Sequence, residues 1–327
     1  MMMIAGYMFF SFFNTQEISL VAAGLLAFGA VILGFSMGGW RELFIPQRLI
    51  TAIIIGIVLT LMMTTGGTEQ RWLHALTGAI TGAVLIGLLV ERLTIRPLIG
   101  QPIFAAVMVT LALNEVIRGI TTLIWGSQPK SLLIFAEPHP FLPDQFVRIQ
   151  TPITIEPTGL LSFLEGPVNI DQPRFLAFLL ALATFALFWV FFRFTNIGLA
   201  MRATSENQQL AQSVGLRVRV ILAITWAIAT VIAGVAGLFY AGSSAASSID
   251  TNFHFIILRA FPAVLLGGLE SIGGALVGGL IIGLSEEWAK LLFTGDVAEN
   301  LAPYIVLMIV LILRPEGLFG EKRIERI

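Results

Sequence analysis

Apolar runs alternate with short polar breaks along the whole chain, and most of the runs have the length of a bilayer. A crossing needs about 20 mostly apolar residues to match a hydrocarbon layer about 30 Å thick. The segments Ile18 to Ser36, Leu49 to Thr65, Leu73 to Val90, Ile103 to Ile124, Phe175 to Phe192 and Val220 to Tyr240 meet or approach that length. Two shorter ones, Phe255 to Leu269 and Gly274 to Leu284, are separated only by a glycine-rich turn, and a last one runs from Leu301 to Leu313 before Arg314-Pro315. The opening Met1 to Phe13 is apolar but too short for a full crossing. It lacks the basic start and small-residue cleavage site of a signal peptide, so it reads as part of the membrane domain. The pattern predicts an all-α, polytopic membrane protein with about nine to ten membrane segments in a single domain, 1–327.

Composition excludes the soluble classes. The 327 residues are 57% hydrophobic and 12% charged, with a mean hydropathy of +0.90, far from the soluble average. The chain has no Cys, which excludes disulfides, thiolate catalysis and Cys-based zinc sites, and its net charge of -1 carries no nucleic-acid signal. The basic residues are lopsided. Arg41 and Arg48, Arg92 and Arg96, Arg193, Arg202, Arg217 and Arg219, then Lys322, Arg323 and Arg326 all fall on one side if each segment crosses once. Lys and Arg resist translocation, so that side is expected to be cytoplasmic, with the C-terminus inside. The other side collects Glu137, Asp144, Glu156, Glu165 and Asp171 on the loop 126–174, and Glu286, Glu287, Asp296 and Glu299 on a later linker. Prolines recur from Pro129 to Pro173, so this external loop is expected to hold short extended pieces and turns. It serves either as a connector or as a lid that meets a substrate-delivering partner.

Small residues four apart let helices approach closely in lipid, where no hydrophobic force draws them together. Gly78 and Gly82, Ala229 and Ala233 with Gly237, Gly274 and Gly278, and Gly279 and Gly283 make such stripes. Glu270 sits in the glycine-rich turn, either in a tight hairpin or at a broken helix beside a transport path. Asn114, Glu115 and Arg118 lie within a crossing. Glu115 and Arg118, one turn apart, either neutralise each other or line a polar route. No phosphate-cradling Gly-x-x-x-x-Gly-Lys-Ser/Thr occurs, so ATP coupling requires another subunit. His74, His139 and His254 have no zinc-site spacing, and no Gly-x-Ser-x-Gly elbow is present.

Between two crossings, the loop 193–219 carries Leu199 with Ala203 and Leu210 with Val214 at spacing four, against Arg202, Glu206, Asn207 and Gln208. Bracketed by Gly198 and Gly215, this reads as one short amphipathic helix, lying on the membrane or docking in a partner's groove.

Five ordered segments, Glu91-Arg-Leu-Thr-Ile-Arg-Pro-Leu98, Leu123-Ile-Trp-Gly-Ser-Gln-Pro-Lys130, Gly198-Leu-Ala-Met-Arg-Ala-Thr-Ser-Glu-Asn207, Gly267-Gly-Leu-Glu-Ser-Ile-Gly-Gly-Ala275 and Leu313-Arg-Pro-Glu-Gly-Leu-Phe-Gly320, carry a resemblance. From Glu91 to its end the chain resembles the permease subunits of ABC importers of the branched-chain amino acid type, and of their two permeases the first. The resemblance implies that the 193–219 loop is a coupling loop fitting a cleft in the ATP-binding subunit. Arg202, Glu206 and Gly215 match its recurrent positions, with Gly198 and Asn207 beside them. It further implies ABC ATPase subunits, a second homologous permease and an external substrate-binding protein as partners, and a place in the bacterial inner membrane. The chain itself would be no enzyme and would bind no cofactor, metal or nucleic acid. Asn114, Glu115, Arg118 and Glu270 are then the candidate substrate path, for branched-chain or other amino acids, short amides or urea.

Two departures stand out. Met3-Ile-Ala-Gly-Tyr7 matches the second of two early family motifs while the first is absent, which reads as a start at an internal Met and makes Met1 to Phe13 the tail of an interrupted span. Between Tyr7 and Glu91 the chain is longer than the family pattern by about two spans, Ile18 to Ser36 and Leu49 to Thr65. The rival readings are an ion-coupled secondary transporter that uses Glu115 and a membrane scaffold that transports nothing.

Overall fold

The computed structural model describes residues 1–14, 19–65, 71–132, 153–155, 168–170, 172–242, 248–253, 256–269, 271–292 and 296–320. The helices are α1 (Met2–Asn14), α2 (Leu20–Phe35), α3 (Trp40–Leu43), α4 (Pro46–Thr64), α5 (Arg71–Val90), α6 (Ile103–Trp125), α7 (Gln172–Phe194), α8 (Asn196–Glu206), α9 (Gln208–Ser213), α10 (Val218–Gly242), α11 (Ile256–Gly267), α12 (Ile272–Leu292) and α13 (Asp296–Leu313). Among the described residues four short strands accompany them: β1 (Lys130–Ser131) pairs antiparallel with β4 (Ser248–Ile249), and β2 (Ile153–Ile155) with β3 (Val168–Ile170). These are extended pieces of the kind the prolines predict; the rest of the acidic loop lies outside the described residues.

Among the described residues six helices are long and apolar enough to cross a membrane: Pro46–Thr64, Arg71–Leu98, Phe104–Trp125, Arg174–Phe194, Val218–Gly242 and Ile272–Leu292. Met2–Asn14, Leu20–Phe35, Ile256–Gly267 and Leu301–Leu313 are apolar but shorter. The membership of the long set differs from the sequence reading at two places. Leu20–Phe35 is trimmed at both ends of the expected Ile18 to Ser36, with Ser19 as its N-cap and Ser36 as its C-cap before the turn in which Gly39 takes a φ of 153°. Ile272–Leu292 runs on past Leu284 because Ser285 to Lys290 are good helix formers, and Glu287 and Lys290 pair at 2.9 Å on one face.

The chain divides into two compact units, Met1–Leu179 with Asn196–Phe253, and Leu180–Thr195 with His254–Ile327. In the first unit α5 is the hub, packed by α1, α10 and the α2–α4 hairpin. Its glycines are the sockets. Gly78 seats the Phe12 ring, Gly82 the Met8 side chain and Gly87 the Thr230 hydroxyl and methyl groups, so a Cβ at Gly78 or Gly87 would collide. On α10 the face turned inward is Thr230, Gly234, Gly237 and Leu238. Of the expected stripe Ala229 is exposed and Ala233 half-buried, while Gly237 is buried against the backbone of Met2. The spacing-four rule found the small residues but set the helix face too far toward Ala229. The α2–α4 hairpin packs Phe28 over Gly56 and Leu85 over Gly29.

In the second unit α11 and α12 touch backbone to backbone, Gly267 on Gly274 and Gly278 on the Ala263 carbonyl. Of the two expected α12 stripes, Gly274 and Gly278 are used, while Gly279 and Gly283 face open space. The segment after α13 returns to this crossing: Leu318 N donates to the Leu266 carbonyl at 2.8 Å and Phe319 N to that of Gly267 at 3.1 Å. Those are carbonyls at the end of α11 that have no partner within the helix. Pro262, inside α11, has no N–H for the Leu258 carbonyl four residues back, and the Tyr304 hydroxyl of α13 donates to that oxygen at 2.9 Å. The motifs Gly267 to Ala275 and Leu313 to Gly320 thus interlock.

Adjacent glycines of α12 give a direct check. Gly278→Val should destabilise the protein by roughly 1–3 kcal/mol or prevent folding, since the Ala263 carbonyl cannot yield, whereas Gly279→Val should lie within about 0.5 kcal/mol of wild type. Thermal unfolding in detergent reads the contrast.

Candidate functional site

The loop between α7 and α10 folds as two helices, α8 and α9, where one was expected. The break is at Asn207. Its side-chain oxygen accepts from the backbone N–H groups of Gln209 and Leu210, each at 3.0 Å, which caps α9 and ends α8 in one step. Gly215 closes α9: its N–H donates to the Gln212 carbonyl at 3.0 Å and that of Leu216 to the Ala211 carbonyl at 3.0 Å, with Gly215 at a φ of 87°. This double bond pattern needs a residue that adopts the left-handed region without strain. Gly198 does not bracket the helix but lies inside α8 and is buried.

The face the loop buries also differs from the expected one. Gly198, Met201, Thr204 and Ala211 are buried, and both helices pack on α10. Leu199 (59% exposed), Leu210 (63%) and Val214 (70%) point outward, with exposed Arg202, Glu206 and Asn207 around them. The buried face at spacing three combines small Gly198 and Thr204, which permit close approach, with the flexible Met201 between them. The larger leucines and valine are left as a mixed apolar and charged surface.

The same end of the first unit gathers ionic groups. After α5 the chain makes a π-turn, Glu91–Ile95, in which the Arg96 N–H bonds the Glu91 carbonyl five residues back. That spacing also brings the side chains together. Arg96 clamps Glu91 with Nε on Oε1 and Nη2 on Oε2, both at 3.0 Å, and Nη2 further donates to the Met37 carbonyl at 3.1 Å. Glu91 is 1% exposed, so its charge is held almost wholly by this fork. Arg92 donates to Ser36 Oγ at 2.7 Å and lies 4.0 Å over the Trp40 ring. Glu42 accepts from Arg48, and from Arg217 at 3.2 Å. The ends of α2 and α5 therefore meet the starts of α4 and α10, and four of the arginines that the sequence placed on one side, Arg48, Arg92, Arg96 and Arg217, share this end of the first unit. At the opposite end Trp125 donates to Ser11 at 2.6 Å, and Lys130 pairs in register with Ile249.

The remaining predicted residues do not join this cluster. On α6, Arg118 reaches Glu115 at 3.5 Å, the intrahelical pair foreseen, yet the two are 39% and 63% exposed and Asn114 is exposed beside them. Only 6% of the α6 span is buried. Glu270 lies outside the described residues. The sequence reading assigned no role to Glu42 or Ser36 and named Glu91 only as part of a motif. Glu91 and Arg96 are five apart, a spacing that a regular α-helix does not pair, and only a π-turn at the Arg-Pro step would have revealed them.

A family profile described as a branched-chain amino acid transport system permease component matches residues 51–313. The high-affinity branched-chain amino acid transport system permease protein BraD of Pseudomonas aeruginosa is 25% identical over 277 residues, covering 84% of this chain and 82% of that protein. The corresponding LivH of Salmonella typhimurium is 26% identical over 281 residues, covering 83% and 82%. A probable LivH of Methanocaldococcus jannaschii is 33% identical over 141 residues, 41% of this chain and 44% of that one. No solved structure matches the chain.

The Glu91–Arg96 clamp predicts an asymmetry. Arg96→Ala strands a buried carboxylate and should destabilise by about 3–5 kcal/mol. Adding Glu91→Gln to it should recover part of that loss, read as the unfolding midpoint in detergent.

Proposed function

The chain belongs to the family of permease components of branched-chain amino acid transport systems, and on that premise we propose that it is one transmembrane half of an ATP-driven importer for a branched-chain or other small amino acid. The shorter apolar helices then complete the nine to ten membrane segments, and the end carrying Arg48, Arg92, Arg96 and Arg217 faces the cytoplasm together with the C-terminus, as the positive-inside rule requires. The chain supplies the path and contributes no hydrolytic chemistry of its own.

The observation that carries this reading is the outward surface of α8 and α9. Exposed Leu199, Leu210 and Val214 ringed by Arg202 and Glu206 have the character of a protein-docking patch. The turns at Asn207 and Gly215, and the inward face on α10, fix that patch rigidly to a membrane helix. An ATPase subunit docked there would transmit its closure straight to α10, which packs on the hub α5. A second permease would cover the open sides of α6 and α7, of whose spans 6% and 0% are buried. Glu115 and Arg118, about 18 Å along α6, would then meet protein or a water-lined path in place of lipid. An external binding protein would deliver the solute at the end marked by Trp125 and the β1–β4 pair. The relatives, which are branched-chain amino acid permeases, support a branched-chain amino acid as cargo.

Two measurements test the proposal. The double substitution Arg202→Glu with Glu206→Lys should lower solute uptake at least about tenfold while the protein stays folded and the partner ATPase keeps hydrolysing ATP; unchanged uptake sinks the docking role. With ATP held constant, dissipating the proton gradient should leave uptake intact, and its collapse would instead favour ion coupling.

A further inference from the structure

At the basic end of the first unit, α2, α3, α4 and the start of α10 line an open cavity of about 530 Å³. Its floor is apolar, made by Val31, Phe35, Met37 and Val220, and its rim carries Glu42, Arg48 and Arg217. Glu42 accepts from both arginines, so one carboxylate answers two guanidinium groups and the rim keeps a net positive charge. Each guanidinium has five N–H donors, and Glu42 takes one from each; among the described residues the others remain open. The position is equally telling. The cavity lies where α2 ends and α4 begins, at the level where a crossing leaves the hydrocarbon. Next to it α3 exposes Trp40, Arg41 and Phe44, side chains suited to a membrane–water interface.

An apolar floor beside two partly exposed guanidinium groups fits an amphiphile with an anionic head. A free anion would use the rim alone and leave the floor wet. We propose that this cavity binds one anionic phospholipid of the adjoining leaflet, its phosphate on Arg48 and Arg217 and the first part of its acyl chains on Val31, Phe35 and Val220. The phosphate competes with Glu42 for the same guanidinium groups. Arg217 also ends the segment that carries α8 and α9, so an occupied site holds the root of that segment against the α2–α4 hairpin.

The test uses the full-length protein, purified in neutral detergent, stripped of lipid and titrated with phosphatidylglycerol, phosphatidylcholine or inorganic phosphate, with bound species counted by native mass spectrometry. One phosphatidylglycerol should be retained, at least about fivefold more tightly than phosphatidylcholine. Arg217→Gln should weaken phosphatidylglycerol about fivefold, Arg217→Lys should largely preserve it, and Glu42→Gln, which removes the competitor, should strengthen it. The Arg217 side chain is 67% exposed, so its replacement leaves the core untouched. Equal retention of the two lipids overturns the proposal. So do equal losses in the Gln and Lys variants, weaker binding in Glu42→Gln, or displacement of the lipid by equimolar inorganic phosphate, which would assign the rim to a soluble anion.

Discussion

Close approach of helices at small residues is the constraint on which the rest of this structure depends. Between two helices in lipid, burying apolar surface gains little, because the hydrocarbon tails are as apolar as leucine. What remains is contact, and contact requires sockets. Gly78 and Gly82 give α5 two of them on its α1 side, filled by Phe12 and Met8, and Gly87 gives a third toward α10, filled by Thr230. Gly267, Gly274 and Gly278 give the second unit a crossing in which backbone meets backbone. Dispersion over many such contacts holds each unit, and the same closeness makes each socket intolerant of one added carbon.

Where the crossings end, polar groups take over, and their arrangement follows from the helix ends. A chain that ends one helix in the membrane leaves carbonyls without partners, and the returning segment 318–319 supplies donors to the end of α11 just as Tyr304 supplies one to the carbonyl freed by Pro262. At the basic end of the first unit the π-turn at Glu91–Ile95 does comparable work for charge. It rotates Arg96 onto Glu91 and lets the same guanidinium reach the Met37 carbonyl, so the end of α5 is fastened to the turn that follows α2. The fastening is ionic and local, whereas the packing above it is apolar and spread over the length of α5.

The membrane class and most of the helices were legible in the sequence because the length of an apolar run answers directly to bilayer thickness. The gathering of Arg48, Arg92, Arg96 and Arg217 at one end was legible for a similar reason, since alternation of crossings is arithmetic. The faces were not. Ala229 and Gly279 carry the same small-residue signal as Thr230 and Gly278, and only the presence of a neighbour separates them. In α8 the leucine stripe suggested the buried side, but close approach to α10 favoured Gly198 and Thr204. Single helix faces were misread for one reason: spacing records what could be buried, while tertiary contact decides what is. The Glu91–Arg96 clamp escaped because its five-residue spacing pairs only in an irregular turn.

Exposure in this chain carries information that burial does not. A lone helix in lipid gains nothing by presenting Asn114, Glu115 and Arg118 to hydrocarbon, and the pair at 3.5 Å only partly neutralises the two charges. The loop gains nothing by turning Leu199, Leu210 and Val214 to water when Gly198 and Thr204 could have been placed there instead. One exposed set is polar on an apolar helix of membrane length and the other is apolar on a pair of short loop helices, so the two mismatches have opposite sign and sit on separate elements, which are the two faces that the proposed neighbours would cover.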